Sequence, residues 1–288
     1  MTTDLSTAPA VSDYSFEIGD REFRLFREII QGETGIQLKD AKRSLVVSRL
    51  GKRLRALDLK TFGEYYELLQ GAARQEELRE LVNCITTNKT SFFREDAHFR
   101  FLRDWLPAVA ALRRARSLRI WCAACSTGQE AYTIAMTARE ALGNDAGVRI
   151  LASDIETEVL QTAQKGIYPA AELASVPLHY KKRFFCRGVG KWDGHVQVKP
   201  ELQKLIEFRH FNLIRKPWNI DGRFDAIFLR NVVIYFDQET QRGIFERLSR
   251  ILEPDGILFV GSSESLFWLP ELFAPVSHAV YRLSDGAK

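Results

Sequence analysis

The chain holds 288 residues with 41 basic against 37 acidic side chains, a net charge of +4 that leaves room for about two domains of ordinary soluble composition, each with its own core. No apolar run approaches the roughly 18 residues needed to cross a bilayer, which excludes membrane insertion by a helix. Residues 1–10 lack a basic segment followed by an apolar one, so export is not expected, a cytoplasmic location is, and the Asn88-Lys89-Thr90 glycosylation sequon carries no weight.

Residues 1–13 are small and polar and read as a flexible tail. From Tyr14 to about Thr87 the periodicity is helical, with helices predicted over 20–32, 42–57, 61–69 and 75–85 and glycines Gly35 and Gly71 near the breaks. This stretch, 14–90, is expected to form a small all-helical domain that recognises the substrate. Its charge is uneven, with seven basic residues and one acid, Asp40, between Lys39 and Arg55. On the helix over 42–57, Val46, Leu50, Leu54 and Leu57 form an apolar stripe, which leaves Lys42, Arg49, Lys52 and Arg53 on exposed flanks. With Arg55 they make a candidate substrate-binding surface. A helical bundle bearing glutamates would be attracted to it, as would nucleic acid, and a merely solvated face is the plainer reading.

Residues 88–96 join this domain to the next. From Phe99 onward helices alternate with apolar strands predicted at 119–122, 149–152, 206–209, 225–230 and 257–261, with a last strand at 279–283. Such alternation implies an α/β fold with a mainly parallel sheet covered by helices, assigned to residues 91–288. Within 183–200 the pattern changes to Phe184-Phe185-Cys186-Arg187, a glycine-bearing turn and His195-Val196-Gln197-Val198; Asp193-Gly194 signals an inserted β-hairpin. Cys122 and Cys125 are spaced as half a zinc site or a redox pair, but no second pair follows, so buried small side chains are the default and no metal is expected.

Residues 118–154 are the most informative. The strand Leu118-Arg119-Ile120-Trp121-Cys122 runs into a turn of small residues, a helix follows over 129–142, and a second strand over 148–152 ends at Ser153-Asp154. In α/β sheets such a unit builds a nucleoside pocket, because small residues let the backbone approach the ligand and the acid accepts hydrogen bonds from ribose hydroxyls. The single glycine, Gly128, disfavours a pyrophosphate and hence a dinucleotide. A nucleoside with a small charged tail fits better, and S-adenosyl-L-methionine is the leading candidate. The plainer alternative is that Ser153-Asp154-Ile155-Glu156 is a capping box for the next helix.

Five segments occur in order: Thr86-Thr87-Asn88-Lys89-Thr90-Ser91-Phe92-Phe93-Arg94, Ala124-Cys125-Ser126-Thr127-Gly128-Gln129-Glu130, Ala152-Ser153-Asp154-Ile155, Phe211-Asn212-Leu213 and Leu229-Arg230-Asn231-Val232-Val233-Ile234-Tyr235-Phe236. Together they resemble the CheR family, the chemotaxis receptor glutamate O-methyltransferases, from about Tyr14 to Leu283. The clearest departure is in the turn, where the family often has Glu-Glu-Pro and this chain has Gln129-Glu130-Ala131, so the family's ligand contact is placed on Glu130. The resemblance implies a Rossmann-like S-adenosylmethionine-dependent methyltransferase domain with an inserted β-hairpin, preceded by the all-helical domain. It implies that Asn88, Thr90, Arg94, Glu130, Asp154, Asn212, Leu213, Arg230 and Asn231 surround the cofactor, whose product is S-adenosyl-L-homocysteine. The implied substrate is the cytoplasmic domain of a chemoreceptor, methylated on glutamates by a monomeric enzyme that needs no nucleic acid. Family members that dock on a receptor's C-terminal tail peptide use a glycine-bearing hairpin similar to 187–194, where Arg187 or Lys191 would meet an acidic group of the peptide. A lid over the pocket is the alternative use of that hairpin.

In physical terms Asp154 would hold the ribose, Asn212 the adenine edge and Glu130 the amino group of the methionine part. Arg94 would hold the methionine carboxylate or the incoming substrate acid, and Tyr235 the second oxygen of that acid, which makes Arg94 and Tyr235 the catalytic candidates. Methyltransferases acting on amino groups often carry N-P-P-Y or D-P-P-Y after the fourth strand; this chain has Arg230-Asn231-Val232-Val233-Ile234-Tyr235, and a basic residue there suits an anionic nucleophile. A glutamate, with an unperturbed pKa of about 4.3, is already ionised at neutral pH and needs no general base. Two other readings stand beside this one: an RNA methyltransferase whose basic helix contacts phosphates, and a receptor-binding module that senses S-adenosylmethionine without turnover.

Overall fold

The computed structural model describes residues 16–113, 116–144 and 147–287, so the tail expected over 1–13 lies outside the described residues. They form two compact units. The first comprises residues up to Ile30 together with Leu38–Ile85, and the second comprises Gln31–Gln37 together with the chain from Thr86 on.

The first unit contains helices α1 (Asp20–Thr34, whose last turn belongs to the second unit), α2 (Arg43–Ala56), α3 (Phe62–Leu68) and α4 (Arg74–Ile85). Their apolar stripes meet through Phe23, Phe26, Val46, Leu50, Leu54, Phe62, Tyr65 and Leu81, all buried. Phe26 stacks on Tyr65 at 5.7 Å and meets the edge of Phe62. The Thr61 hydroxyl accepts from the Glu64 amide and starts α3, as an N-cap residue should. The expected exposed flanks of α2 need correction. Arg53 donates from Nε and Nη2 to the two oxygens of Glu77 at 2.8 and 2.7 Å, and the Tyr65 hydroxyl donates to the same buried carboxylate. Arg49 donates to the carbonyl of Ile85. Both arginines are half-buried because they satisfy a buried carboxylate and a backbone carbonyl inside the bundle; Lys42, Lys52 and Arg55 remain exposed.

The second unit opens with α5 (Ala97–Leu112), β1 (Leu118–Cys122), α6 (Gln129–Leu142), β2 (Val148–Asp154) and α7 (Thr157–Lys165). There follow β3 (Ile167–Pro169), α8 (Leu178–Phe184), β4 (Phe185–Arg187), β5 (His195–Val198) and the short α9 (Pro200–Gln203). It ends with β6 (Ile206–His210), β7 (Phe224–Leu229), α10 (Gln238–Ile251), β8 (Leu252–Val260), β9 (Phe273–Ser277) and β10 (Val280–Leu283). The main sheet has the order β6-β2-β1-β7-β8-β10-β9, parallel from β6 to β8 and antiparallel at β10 and β9. Side chains alternate across it. Ile120, Cys122, Ile150, Ala226, Phe228 and Phe259 enter one core and Trp121, Leu151, Ile227, Leu229, Leu258 and Val260 the other. Burial on both faces explains why these strands read as continuous apolar runs. The strand β9 has no counterpart in the sequence reading, since Pro275 and its exposed neighbours give a weak signal; as an edge strand it tolerates the proline. Phe184 ends a helix rather than opening the hairpin, and β3 pairs with β5 to make the hairpin a three-stranded sheet, β3-β5-β4.

Candidate active site

The order of the main sheet reverses between β1 and β7, and the crevice at their carboxyl ends is where open α/β sheets place ligands. A cavity of about 900 Å³, its open mouth included, lies there in the second unit. Its wall carries every residue expected around the cofactor, Asn88, Thr90, Arg94, Glu130, Asp154, Asn212, Leu213, Arg230 and Asn231, together with Tyr235. Thr34, Ile36, Ala123, Val232 and Phe236 supply further lining. The basic residues of α2 belong to the first unit and do not line it.

The turn after β1 is shaped by its small residues. Gly128 has φ +95°, and a Cβ there would lie 2.8 Å from that of Ala163, so glycine is required on both counts. Ser126 also adopts a left-handed conformation, φ +49°, held by its amide donating to Asp154 Oδ2 at 2.8 Å. Asp154 Oδ1 accepts from the amide of Glu156 at 3.0 Å. Burial pushes the Asp154 carboxyl upward, and the amides of Glu156 and Ser126 oppose the rise. The capping-box alternative is not realised. α7 starts at Thr157 without a side-chain cap bond, and Ser153 Oγ instead accepts from the Trp121 indole and donates to Ala123 O. Glu156 accepts from Asn88 Nδ2 at 2.6 Å and from the Thr86 hydroxyl, fixing the start of the segment that leads to Arg94. Cys122 and Cys125 are buried free thiols pushed well up by burial; Cys122 Sγ lies 3.3 Å from Glu130 Oε1.

Arg230 is the electrostatic centre of the wall. Its fully buried guanidinium donates to Glu130 Oε2 at 2.7 Å and to the carbonyl of Arg94 at 2.6 Å, and lies 3.2 Å from Glu95 Oε2. Arg94 itself is half-exposed and donates to Lys89 O. Asn212 donates to Glu33 O at 2.8 Å and accepts from the amide of Ile214, so part of its hydrogen-bonding capacity holds the stretch 31–37 against the cavity. That stretch is further held by the Gln37 amide donating to Tyr235 O at 2.8 Å. The sequence reading missed two carboxylates. Glu264 accepts from the amides of Gly261, Asn231 and Val233, and burial nonetheless pushes its carboxyl upward. Glu95 joins Arg230, Asn231 and Ser262. Glu95 was legible only as the residue after Arg94, and Glu264 had no motif at all.

A mainly parallel sheet with a turn of small residues after β1 and an acid closing β2 is the frame of the Rossmann-like S-adenosylmethionine-dependent methyltransferases. Family comparison is more specific. Residues 88–282 match the family described as CheR methyltransferase, SAM binding domain, and residues 21–86 match CheR methyltransferase, all-alpha domain. Chemotaxis protein methyltransferase 2 of Pseudomonas aeruginosa is 45% identical over 275 residues, covering 95% of this chain and 97% of the relative. The chemotaxis protein methyltransferase of Escherichia coli is 44% identical over 268 residues, covering 93% and 92%. The chain belongs to the CheR family of chemotaxis methyltransferases and is an S-adenosylmethionine-dependent enzyme.

Proposed function

We propose that the protein transfers the methyl group of S-adenosylmethionine to glutamate carboxylates on the cytoplasmic helices of chemoreceptors, forming methyl esters. The observation that carries this reading is the convergence of Arg94, Glu130, Asp154, Arg230, Asn231 and Tyr235 on one cavity at the carboxyl ends of β1, β2 and β7. The wall suits the cofactor: Asp154 and Glu130 offer acceptors for ribose hydroxyls and an ammonium, Leu213, Ile36 and Phe236 offer apolar contact, and Asn88, Thr90, Asn212 and Asn231 offer polar edges. When bound, the cofactor supplies an electrophilic methyl group on a sulfonium.

The remaining work falls to the protein. Arg94, half-exposed at the mouth, would offset the lost hydration of the substrate carboxylate by charge-assisted hydrogen bonds, and Tyr235 would orient its second oxygen. A glutamate already ionised at neutral pH needs no general base, and holding it in line with the methyl–sulfur bond can supply roughly 7–11 kcal/mol. The 14–90 part would recognise the receptor through Lys42, Lys52 and Arg55, with the half-buried Arg49 and Arg53 adding to the field, while 91–288 carries out transfer. We further read the enzyme as a cytoplasmic monomer without a metal; among the described residues no helix is long and apolar enough to cross a membrane. The hairpin is proposed to take a receptor tail peptide. β4 is one of the two outer strands of its small sheet, and Val189 and Trp192 are exposed beside it.

The test is transfer of labelled methyl to receptor cytoplasmic domains followed by mild base. Label released as methanol marks an ester, and label resistant to base would overturn the carboxylate reading.

A further inference from the structure

We propose that Glu95 is a positioning residue of the transfer site, one that sets the poses in which Arg230 and Asn231 face the cavity without touching the ligand itself. Glu95 is absent from the cavity wall, yet its carboxylate binds two residues that form it. Oε1 accepts from Asn231 Nδ2 at 3.1 Å, and Oε2 lies 3.2 Å from Arg230 Nη2 and accepts from the Ser262 amide at 2.9 Å. One side chain therefore ties together the segment before α5, the segment after β7 and the segment after β8.

Backbone geometry makes such a tie necessary. Phe93, Glu95 and Asn231 have φ values of +55°, +58° and +57°, a region that costs side-chain-bearing residues energy and persists only where surroundings enforce it. Glu95 bridges two of these three positions directly. Through Arg230, which donates to Arg94 O, it also fixes the backbone that carries Arg94. The nearby His98 does not compete for the carboxylate as a cation at neutral pH, since burial and the Arg230 charge hold it down at about 4.

The inference rests on the cofactor reading above. Calorimetric titration of the full-length protein with S-adenosylhomocysteine, compared among wild type, Glu95→Gln and Glu95→Asp, tests it. Glu95→Gln turns one acceptor into a donor facing donors, so affinity should fall at least tenfold and kcat should fall with it, while the receptor KM stays within twofold. Glu95→Asp keeps the charge but withdraws it by one methylene and should lie between the two. A purely structural carboxylate would lower the melting temperature and leave the affinity of the folded protein unchanged. Wild-type binding together with an unchanged affinity in Glu95→Gln would overturn the positioning role alone, whereas no binding by the wild type would overturn the cofactor reading as well. Should Glu95→Gln fail to fold, Glu95→Asp decides: a loss of at least threefold supports the role, and wild-type affinity overturns it.

Discussion

Asp154 carries two duties at once. It braces the left-handed Ser126 through one oxygen and the entry to α7 through the other, and it lines the cavity. Asp154→Ala should therefore weaken S-adenosylmethionine binding at least tenfold, a charged hydrogen bond being worth about 1.5–3 kcal/mol; unchanged affinity by calorimetry would reduce Asp154 to a local brace. Glu95 makes a prediction in pH. Burial alone would raise it, but the Asn231 amide, the Arg230 charge and Ser262 hold it down at about 2, against 4.5 when unperturbed. A depressed acid stabilises the fold above its unfolded pKa and loses that contribution as pH falls through the folded value. The difference in melting temperature between wild type and Glu95→Gln should thus be full above about pH 5 and shrink toward pH 2.5. Glu130, Asp154, Asn212, Leu213, Arg230 and Asn231 were legible at strand ends, whereas Asn88, Thr90 and Arg94 came only with the family resemblance. Glu95 was not legible, because Asn231 stands 136 positions away and no local periodicity links them.

At the scale of elements, α2 and the turn that precedes it carry two kinds of cation. Lys42→Glu with Lys52→Glu should raise the KM for receptor several-fold, more strongly at low salt, and leave S-adenosylhomocysteine affinity unchanged, since exposed charges steer association. Arg53→Ala should act on stability instead, by on the order of 3 kcal/mol in chemical denaturation, because it strands the buried Glu77 carboxylate. The helical stripe through Val46, Leu50 and Leu54 was readable; the inward pull on Arg49 and Arg53 was not, since their partners lie at Ile85 and Glu77 on another helix. In the hairpin, a Cβ at Gly188 would sit 2.1 Å from Trp192 O, so the loop geometry depends on that glycine. Deleting residues 188–191 should abolish binding of a matching receptor tail peptide and spare the cofactor. If no such peptide binds wild type at up to roughly 100 μM, about −5.5 kcal/mol, the hairpin is a lid.

For the molecule as a whole, the alternation of helices and apolar strands gave the architecture, because a sheet buried on both faces must be written in apolar runs. The boundary between parts was less visible: contacts divide the chain between Ile85 and Thr86 and return Gln31–Gln37 to the second unit, where the sequence suggested a single break after residue 90. Tertiary bonds, among them Asn212 to Glu33, Arg215 to Glu33 and Gln37 to Tyr235, reveal that assignment. Gly35 within the stretch has φ +76°, and an added Cβ would stand 2.7 Å from Ile214. Gly35→Ala in the full chain should therefore destabilise the fold by ~1 kcal/mol or more, read as a lower melting temperature, because the left-handed strain and the clash are present with or without cofactor. The polypeptide enters the catalytic unit, leaves it and comes back. One splice at residue 90 that exchanged the helical part between relatives would carry foreign residues at 34, 36 and 86–90 into the cavity wall. A chimera meant to exchange only the proposed receptor-recognition part must keep 31–37 and everything from Thr86 on from the parent that supplies the cavity, so its seams fall at 30/31, 37/38 and 85/86.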